Sequence, residues 1–268
     1  MYVGGGNDVY VYRLIGGRPT ANRVRNLHVA FSVSSLAVGI DGRIFVGGNH
    51  EVAMYLPGAR GIDRPRRMLS IQGSAYALAV DPEGHLYVGE GGYGIDVYPP
   101  GATGSTKPVV TIPDISRSGG ITLDAAGNLY VADKIEGFVE YASPTTNPTV
   151  VRSICFPRHA SPRGIALALD GSAYITVIHE SPNAGHVTPI TPGEGGCVPV
   201  QHRLNSIPPF YDPEGIVERD GLIYVTDSDF GVKGKAAVAV FDEHDLGHVH
   251  PLDVFEPPGM GSSIALGS

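Results

Sequence analysis

The chain has 268 residues, 42% of them apolar, and its 37 glycines and 22 prolines indicate many tight turns around a buried core. Nineteen basic and 27 acidic residues give a net charge of −8, which argues against nucleic acid or an anionic membrane surface as a partner. No apolar stretch approaches the roughly 18 residues that cross a bilayer. We therefore expect a soluble monomer, and whether it is secreted or extracytoplasmic stays open.

One short pattern recurs along the chain: an apolar run, a glycine turn, and an aromatic residue beside Val or Ile. Its first half-copy is Tyr2–Val3, and the matching half is Ser263–Leu266 at the other end of the sequence. The five complete copies between them have the aromatic residues Phe45, Tyr87, Tyr130, Tyr174 and Tyr224. Repeats of roughly 40 to 50 residues imply a propeller or a solenoid. The split copy favours a closed ring, because pairing the last strand with the first protects two sheet edges.

These repeats predict an all-β fold, a single six-bladed β-propeller domain over residues 1–268. One composite blade is closed by the N- and C-terminal strands. Each unit is expected to hold four short strands, labelled A to D from the inside outward. In the second unit strand A contains Leu78, and strands B, C and D fall near 86–89, 95–98 and 108–112. The aromatic residues of the B strands are predicted to fill the space between blades.

The fourth and fifth units differ from the others between strands B and C. Sixteen positions separate Tyr174 from Ile190 and 17 separate Tyr224 from Phe241, against 10 or 11 in the other units. Loops on a rigid scaffold are where binding and catalysis usually occur. These two insertions are therefore predicted to form a raised rim over one half of the pore mouth.

The candidate site combines these insertions with the residues that precede each inner strand on the same face. By repeat alignment the latter are Ser34, Tyr76, Gly119, Arg163, Glu214 and Ser262. The predicted ligand-binding residues are Tyr76, Arg163, His179, Glu214, Asp227 and Asp229. Tyr76 offers a stacking surface, Arg163 an anion contact, and the carboxylates accept hydrogen bonds or hold a cation. In the alternative interpretation, Arg163 and Glu214 pair across adjacent blades and plug the pore, and the aspartates only form turns.

Two functions fit this set of residues. The first is a binding propeller that holds a small polar molecule, a glycan or a peptide at the pore mouth over blades four and five. The second is a hydrolase or lyase that depends on a divalent metal. In that case Glu214, Asp227 and Asp229 would hold Ca²⁺ or Mg²⁺, which prefer several oxygen ligands, and His179 would act as the base. The sequence leaves open whether the protein is an enzyme.

Three other features have plainer interpretations. The segment 89–94 matches the dinucleotide-binding pattern GxGxxG, but a strand and not a helix follows it, which predicts a glycine turn. The histidine-rich segment 243–250 is expected to be an exposed C–D turn of blade five, on the face opposite the rim. Cys155 and Cys197 are expected near opposite faces, which favours two separate thiols over a disulfide.

The segments 79–88 (AVDPEGHLYV) and 123–133 (LDAAGNLYVAD) resemble the NHL-repeat propellers, and the resemblance extends through all six units. The segment 98–112 is similar to the strand-linking segment of bacterial NHL-like proteins grouped with the SMP-30/gluconolactonase superfamily. The resemblance implies a six-bladed propeller. Lactonases of that superfamily bind a divalent metal through Glu, Asn and Asp at the starts of inner strands. In this chain Glu214 is the counterpart that matches in kind and place.

Overall fold

The computed structural model describes residues 1–113, 118–157, 159–179, 185–197, 203–231, 235–258, 261 and 263–267. None of these residues lies in an α-helix, and short strands joined by turns make up the fold. The described residues therefore include no helix that is long and apolar enough to cross a membrane.

The strands are numbered in chain order. The first group is β1 (Tyr2–Gly5), β2 (Asp8–Val11), β3 (Leu14–Ile15), β4 (Arg18–Pro19), β5 (Arg25–His28), β6 (Ser35–Val38), β7 (Ile44–Gly47), β8 (Asn49–Tyr55) and β9 (Arg67–Val80). The second is β10 (Leu86–Glu90), β11 (Gly94–Tyr98), β12 (Val110–Ile112), β13 (Ser118–Leu123), β14 (Leu129–Asp133), β15 (Gly137–Ala142), β16 (Thr149–Cys155), β17 (Ala160–Leu167) and β18 (Ala173–His179). The third is β19 (His186–Ile190), β20 (Gly196–Cys197), β21 (Leu204–Ser206), β22 (Pro213–Arg219), β23 (Leu222–Asp227), β24 (Ala237–Asp242), β25 (Gly247–Val249), β26 (Asp253–Phe255) and β27 (Ser263–Ala265).

These strands form the six blades that the repeats predict. Blade one consists of β6 to β8 and the first half of β9, and blade two of the second half of β9 with β10 to β12. The long strand β9 thus passes from the outer edge of one blade to the inner edge of the next and joins both into one sheet. Blade three is β13 to β16, blade four is β17 to β19 with β21, and blade five is β22 to β24 with β26.

The sixth blade is composite, as predicted. Its strand order is β27-β1-β2-β5, so the last strand of the sequence lies on the inside and pairs with the first. The pairing is antiparallel, with Val3 opposite Ile264 and Tyr2 opposite Ala265. This pairing closes the ring.

Six hydrophobic clusters hold the ring together, one between each pair of neighbouring blades. Each cluster contains or contacts one aromatic residue of a B strand, and these residues are Tyr2, Phe45, Tyr87, Tyr130, Tyr174 and Tyr224. Burial of such large rings contributes much of the apolar area of a core. The prediction that these rings fill the space between blades is confirmed.

The A–B turns explain why the repeat contains an aspartate and a glycine. In blade three the carboxylate of Asp124 accepts the N–H groups of Ala126 and Asn128 and the hydroxyl of Tyr130. Gly127 follows with φ of 83°, a left-handed conformation that glycine adopts without steric cost. The geometry of the turn therefore follows from local hydrogen bonding, and it also fixes the ring of the B-strand tyrosine.

The blades are also linked at their outer edges, by contacts that the sequence did not predict. At four junctions the C–D turn of one blade pairs in parallel with the outer strand of the blade before it. Each of these turns carries a glycine with positive φ, namely Gly61, Gly104, Gly196 and Gly247. We call these contacts the outer belt.

The outer belt overturns the prediction of two separate thiols. Strand β20 pairs in parallel with β16 and places Cys197 opposite Cys155. Their Cα atoms are 4.5 Å apart and the two residues form a disulfide. The prediction failed because it placed Cys197 on the outer strand of blade four, whereas the C–D turn of blade four crosses to the edge of blade three.

The glycine-rich and histidine-rich segments lie at the ends of strands in blades two and five. The segment 89–94 contains the turn between β10 and β11, as predicted, and no helix follows it. The histidine-rich segment is only partly a turn, because β25 extends blade four with His248 opposite Asn205. The His244 side chain in the preceding turn is 84% exposed.

Candidate functional site

The candidate site is the mouth of the central channel, on the face that carries the B–C loops. Ser34, Tyr76, Gly119, Arg163 and Glu214 all line one cavity of about 900 Å³. The repeat alignment predicts that these residues precede the inner strands of blades one to five. Ser34 does precede β6, whereas the other four lie within β9, β13, β17 and β22. Ser262, the sixth position, lies outside the described residues.

The wall of the cavity is partly apolar. Its aliphatic residues include one near the start of each inner strand, namely Leu36, Leu78, Ile121, Ile165, Ile216 and Ile264. These six residues are buried. A ligand in the cavity would thus meet both polar groups and hydrocarbon, as in other small-molecule sites.

Glycines bring the inner strands of blades three to five very close together at the mouth. A Cβ on Gly164 would lie 2.4 Å from the carbonyl oxygen of Glu214, and one on Gly119 would lie 2.4 Å from that of Arg163. The hydroxyl of Thr176 joins two of these strands, since it accepts the N–H of Gly164 at 2.7 Å and donates to the Glu214 carbonyl at 2.9 Å. The backbone that carries Arg163 and Glu214 is therefore held firmly.

Arg163 and Glu214 face the same cavity, but no ion pair joins them in the described structure. This corrects the alternative interpretation, in which the two side chains pair across adjacent blades. The glycines fix the spacing of the two backbones, and that spacing alone does not bring the two charged groups into a hydrogen bond. The Nε of Arg163 is buried without a hydrogen-bond partner. The plugged-pore alternative therefore has no ion pair to support it.

Burial raises the pKa of Glu214 to about 7. The carboxylate of Asp212 adds to this increase, while the positive charges of Arg163 and Lys134 oppose it. The attraction of the two cations is therefore weaker than the cost of removing the carboxylate from water. Near neutral pH, Glu214 is divided between its acid and its carboxylate, so it can donate or accept a hydrogen bond.

The residues that the sequence predicts from the long B–C loops of blades four and five do not line the cavity. Residues 180–184 and 232–234 of these loops are outside the described residues. His179 ends β18, and its ring stacks on that of His186 with centroids 4.9 Å apart. Burial lowers the pKa of His179, and Arg203 lowers it further. His179 does not line the cavity.

Asp227 is fully buried and its carboxylate is occupied by the backbone. It accepts the N–H groups of Tyr211 at 2.9 Å, Asp212 at 3.1 Å and Asp229 at 2.8 Å. Burial raises the pKa of Asp227 even though these three hydrogen bonds oppose the increase. Asp227 thus ties the segment before β22 to the B–C loop of blade five.

The predicted metal ligands are not brought together. Over the part of the chain that the structure describes, no group of three or more His, Cys, Asp or Glu side chains is arranged to hold a metal ion. Glu214 lines the cavity, whereas Asp227 and Asp229 lie outside its lining. Carboxylates dispersed in this way do not supply the several converging oxygens that Ca²⁺ or Mg²⁺ requires.

Sequence reasoning missed two features of the mouth. Lys134, directly after β14, lines the cavity with Arg163, and Gly91 and Gly92 form the adjacent edge in blade two. The length of the B–C loops points to blades four and five, whereas Lys134 lies in blade three. The position of a residue just after a B strand would have identified Lys134.

Comparisons with known proteins agree with the fold. No protein-family model matches the chain, and no curated protein has a matching sequence. Solved structures do match. A protein of unknown function from Bacteroides caccae has a TM-score of 0.69 and 15% identity, with 98% of this chain and 97% of that one covered. A chain of the nidogen/laminin complex has a TM-score of 0.67 and 15% identity, covering 98% and 96%.

The WD40 β-propeller domain of Doa1 is a third similar structure, with a TM-score of 0.63, 12% identity, and coverage of 97% of this chain and 80% of that one. At such low identity these similarities show a shared fold alone. They establish the β-propeller and leave the chemistry of the pore mouth to be argued from its own residues.

Proposed function

We propose that the protein is a binding propeller whose pore mouth takes a small polar molecule that carries an anionic group. The observation that supports this most directly is the convergence of Tyr76, Lys134, Arg163 and Glu214, from four consecutive blades, on one cavity of about 900 Å³. A cavity of this size suits a small ligand. The two cations, Lys134 and Arg163, favour an anionic group of the ligand. The carboxyl group of Glu214, whose pKa is near neutrality, favours a hydroxyl group.

Each residue has a separate part in this proposal. The guanidinium of Arg163 pairs with a carboxylate or phosphate of the ligand, which would also satisfy its buried Nε. Glu214 binds a hydroxyl group, as donor or acceptor according to its protonation. The ring of Tyr76, which is 55% exposed, covers an apolar face of the ligand. The site is thereby centred on blades two to five, somewhat wider than the blade four and five rim.

We also propose that the chain is an NHL-like propeller related to the SMP-30/gluconolactonase superfamily. Support comes from the repeated aspartate–glycine motif, which forms the A–B turns, and from the placement of Glu214 at the start of an inner strand. A hydrolase or lyase that depends on a metal would need further ligands beside Glu214. No observation among the described residues favours that alternative.

The test is a thermal-shift screen with sugar acids, hydroxy acids, lactones, short peptides and divalent cations, followed by titration of the hits. Arg163→Ala should weaken an anionic hit by about 10- to 100-fold, as expected for a lost hydrogen bond to a charged group. Arg64→Ala is the matched control, since Arg64 is exposed on an outer loop of blade one.

Equal affinity of Arg163→Ala and the unaltered protein would contradict the proposal. Elemental analysis gives an independent check of the alternative. One divalent ion per chain in protein purified without added metal would favour the hydrolase or lyase.

A further inference from the structure

Two half-exposed tyrosines lie beside the pore mouth, and the ring of each packs against a glycine in the segment that carries the other. Tyr76 on β9 is 55% exposed, and Tyr93, in the turn between β10 and β11, is 54% exposed. The ring of Tyr76 lies against Gly91 of that turn, and the ring of Tyr93 lies against Gly73 of β9. A Cβ on Gly91 would be 2.4 Å from Cε2 of Tyr76, and one on Gly73 would be 2.9 Å from Cδ2 of Tyr93. Only glycine admits the two rings.

The backbone beneath the two rings is well fixed. The carbonyl of Gly48 accepts the N–H of Ala75, next to Tyr76. Glu90, which is 1% exposed, accepts the N–H of Gly73 at 2.6 Å. We call Tyr76 and Tyr93 the aromatic platform.

Uncharged polar groups border the platform. The hydroxyl of Ser74 donates to Oδ1 of Asn49 at 2.8 Å, and the ring of His50 contacts the carbonyl of Gln72. His50 has φ of 63°, a left-handed conformation that costs energy in any residue except glycine. Such strain persists where the surrounding structure imposes it, and it is concentrated at functional sites.

We propose that the aromatic platform binds the pyranose rings of an oligosaccharide. The C–H groups on one face of a pyranose carry partial positive charge and stack on the electron-rich face of an aromatic ring. The hydroxyl groups at the sugar edge need donors and acceptors, which the exposed side chains of Asn49, His50 and Gln72 supply. The inference goes beyond the proposed function, because the platform shares Tyr76 with the pore mouth but uses none of Lys134, Arg163 and Glu214.

The sheet beneath the platform disfavours a peptide as the occupant. A peptide commonly binds by adding a strand to an exposed sheet edge. Beneath the two rings the backbone groups of β9 are already used. The N–H of Gly73 donates to Glu90 and that of Ala75 to the carbonyl of Gly48, while the carbonyl of Ser74 accepts the N–H of Gly91. This part of the platform therefore offers no free strand edge. A proline-rich peptide in an extended conformation needs aromatic rings but no sheet edge. The experiment must therefore distinguish such a peptide from an oligosaccharide.

The experiment is calorimetric titration with cellohexaose, chitohexaose, a galacturonic acid hexasaccharide and polyproline. At least one hexasaccharide should bind. Tyr93→Leu, which keeps an apolar side chain but has no aromatic face, should lower its affinity about tenfold, and Tyr93→Phe should stay within about threefold. Tyr93→Ala should resemble Tyr93→Leu, and if it fails to fold, the Leu and Phe pair decides. Leu169→Ala, a fully exposed apolar residue on the opposite face, is the control and should bind normally.

Several results would overturn the proposal: no hexasaccharide binds, polyproline alone binds, or Tyr93→Leu keeps full affinity. Arg163→Ala should leave the affinity for a neutral hexasaccharide unchanged. Loss of that affinity would move the sugar into the pore mouth and overturn the platform as a separate site. Failure at the platform and failure at the pore mouth are thus distinguished.

Discussion

Replacing Glu214 by glutamine should change how the stability of the protein depends on pH. The pKa of Glu214 rises from 4.5 to about 7 on folding, chiefly through burial. A tenfold change in proton affinity corresponds to about 1.4 kcal/mol, so the ionised carboxylate costs the folded state about 3 kcal/mol. Glutamine has nearly the same shape and no charge to bury.

The sign follows from which state releases the proton first. Below the unfolded-state pKa near 4.5, Glu214 is protonated in both states and imposes no penalty. As the pH rises, the unfolded chain loses its proton first, and the folded state loses stability until the pH passes about 7. Glu214→Gln should therefore match the unaltered protein near pH 4.5 and exceed it by up to about 3 kcal/mol at pH 8.

Urea unfolding followed by circular dichroism across that pH range measures the difference directly. Comparing two proteins cancels the titration of the other buried carboxyl groups. Glu83→Gln, which removes an exposed carboxylate from the A–B turn of blade two, should follow the unaltered protein. A stability difference for Glu214→Gln that stays constant from pH 4.5 to 8 would refute the reasoning.

Three further predictions concern the ring itself. Deleting residues 262–268 removes β27 and should cost more than about 4 kcal/mol, and an unchanged melting temperature would contradict ring closure by β1 and β27. Replacing Cys155 and Cys197 by serine should lower the free energy of unfolding by about 2–4 kcal/mol, measured in urea, whereas equal midpoints would show that the bond does not constrain the unfolded chain. Asp227→Ala leaves three partly buried N–H groups without this acceptor and should cost at least about 2 kcal/mol in thermal unfolding, and full stability would exclude its structural role.

The fold was predictable from sequence because each blade repeats a local pattern. Each complete unit contains its own A–B turn, with an aspartate and a glycine, and its own aromatic residue in strand B. The contacts between these residues lie within the unit, and the pattern recurs along the chain. The outer belt was not predictable in the same way, because it joins the C–D turn of one blade to the edge of another. The sequence feature that marks the outer belt is a glycine in each of its C–D turns, such as Gly196 beside Cys197.

The site was predictable in position but not in detail. Repeat alignment placed Tyr76, Arg163 and Glu214 at the pore mouth. The spacing of the backbones that carry Arg163 and Glu214 depends on glycines whose close approach is a property of the closed ring. Asp227 was predicted at the rim, but the segment before β22 folds over it and occupies its carboxylate. Tyr93 was overlooked because its glycine-rich segment indicated only a turn.

The central claim is that the pore mouth is a ligand-binding site, and a crystallographic screen of small carboxylates, sugars and amines tests it most directly. We predict that bound fragments concentrate in the cavity, with anionic groups on Arg163 and hydroxyl groups on Glu214. Fragments that leave Arg163 and Glu214 unoccupied and gather instead at the opposite end of the channel, or along the histidine-rich segment of blade five, would contradict the claim.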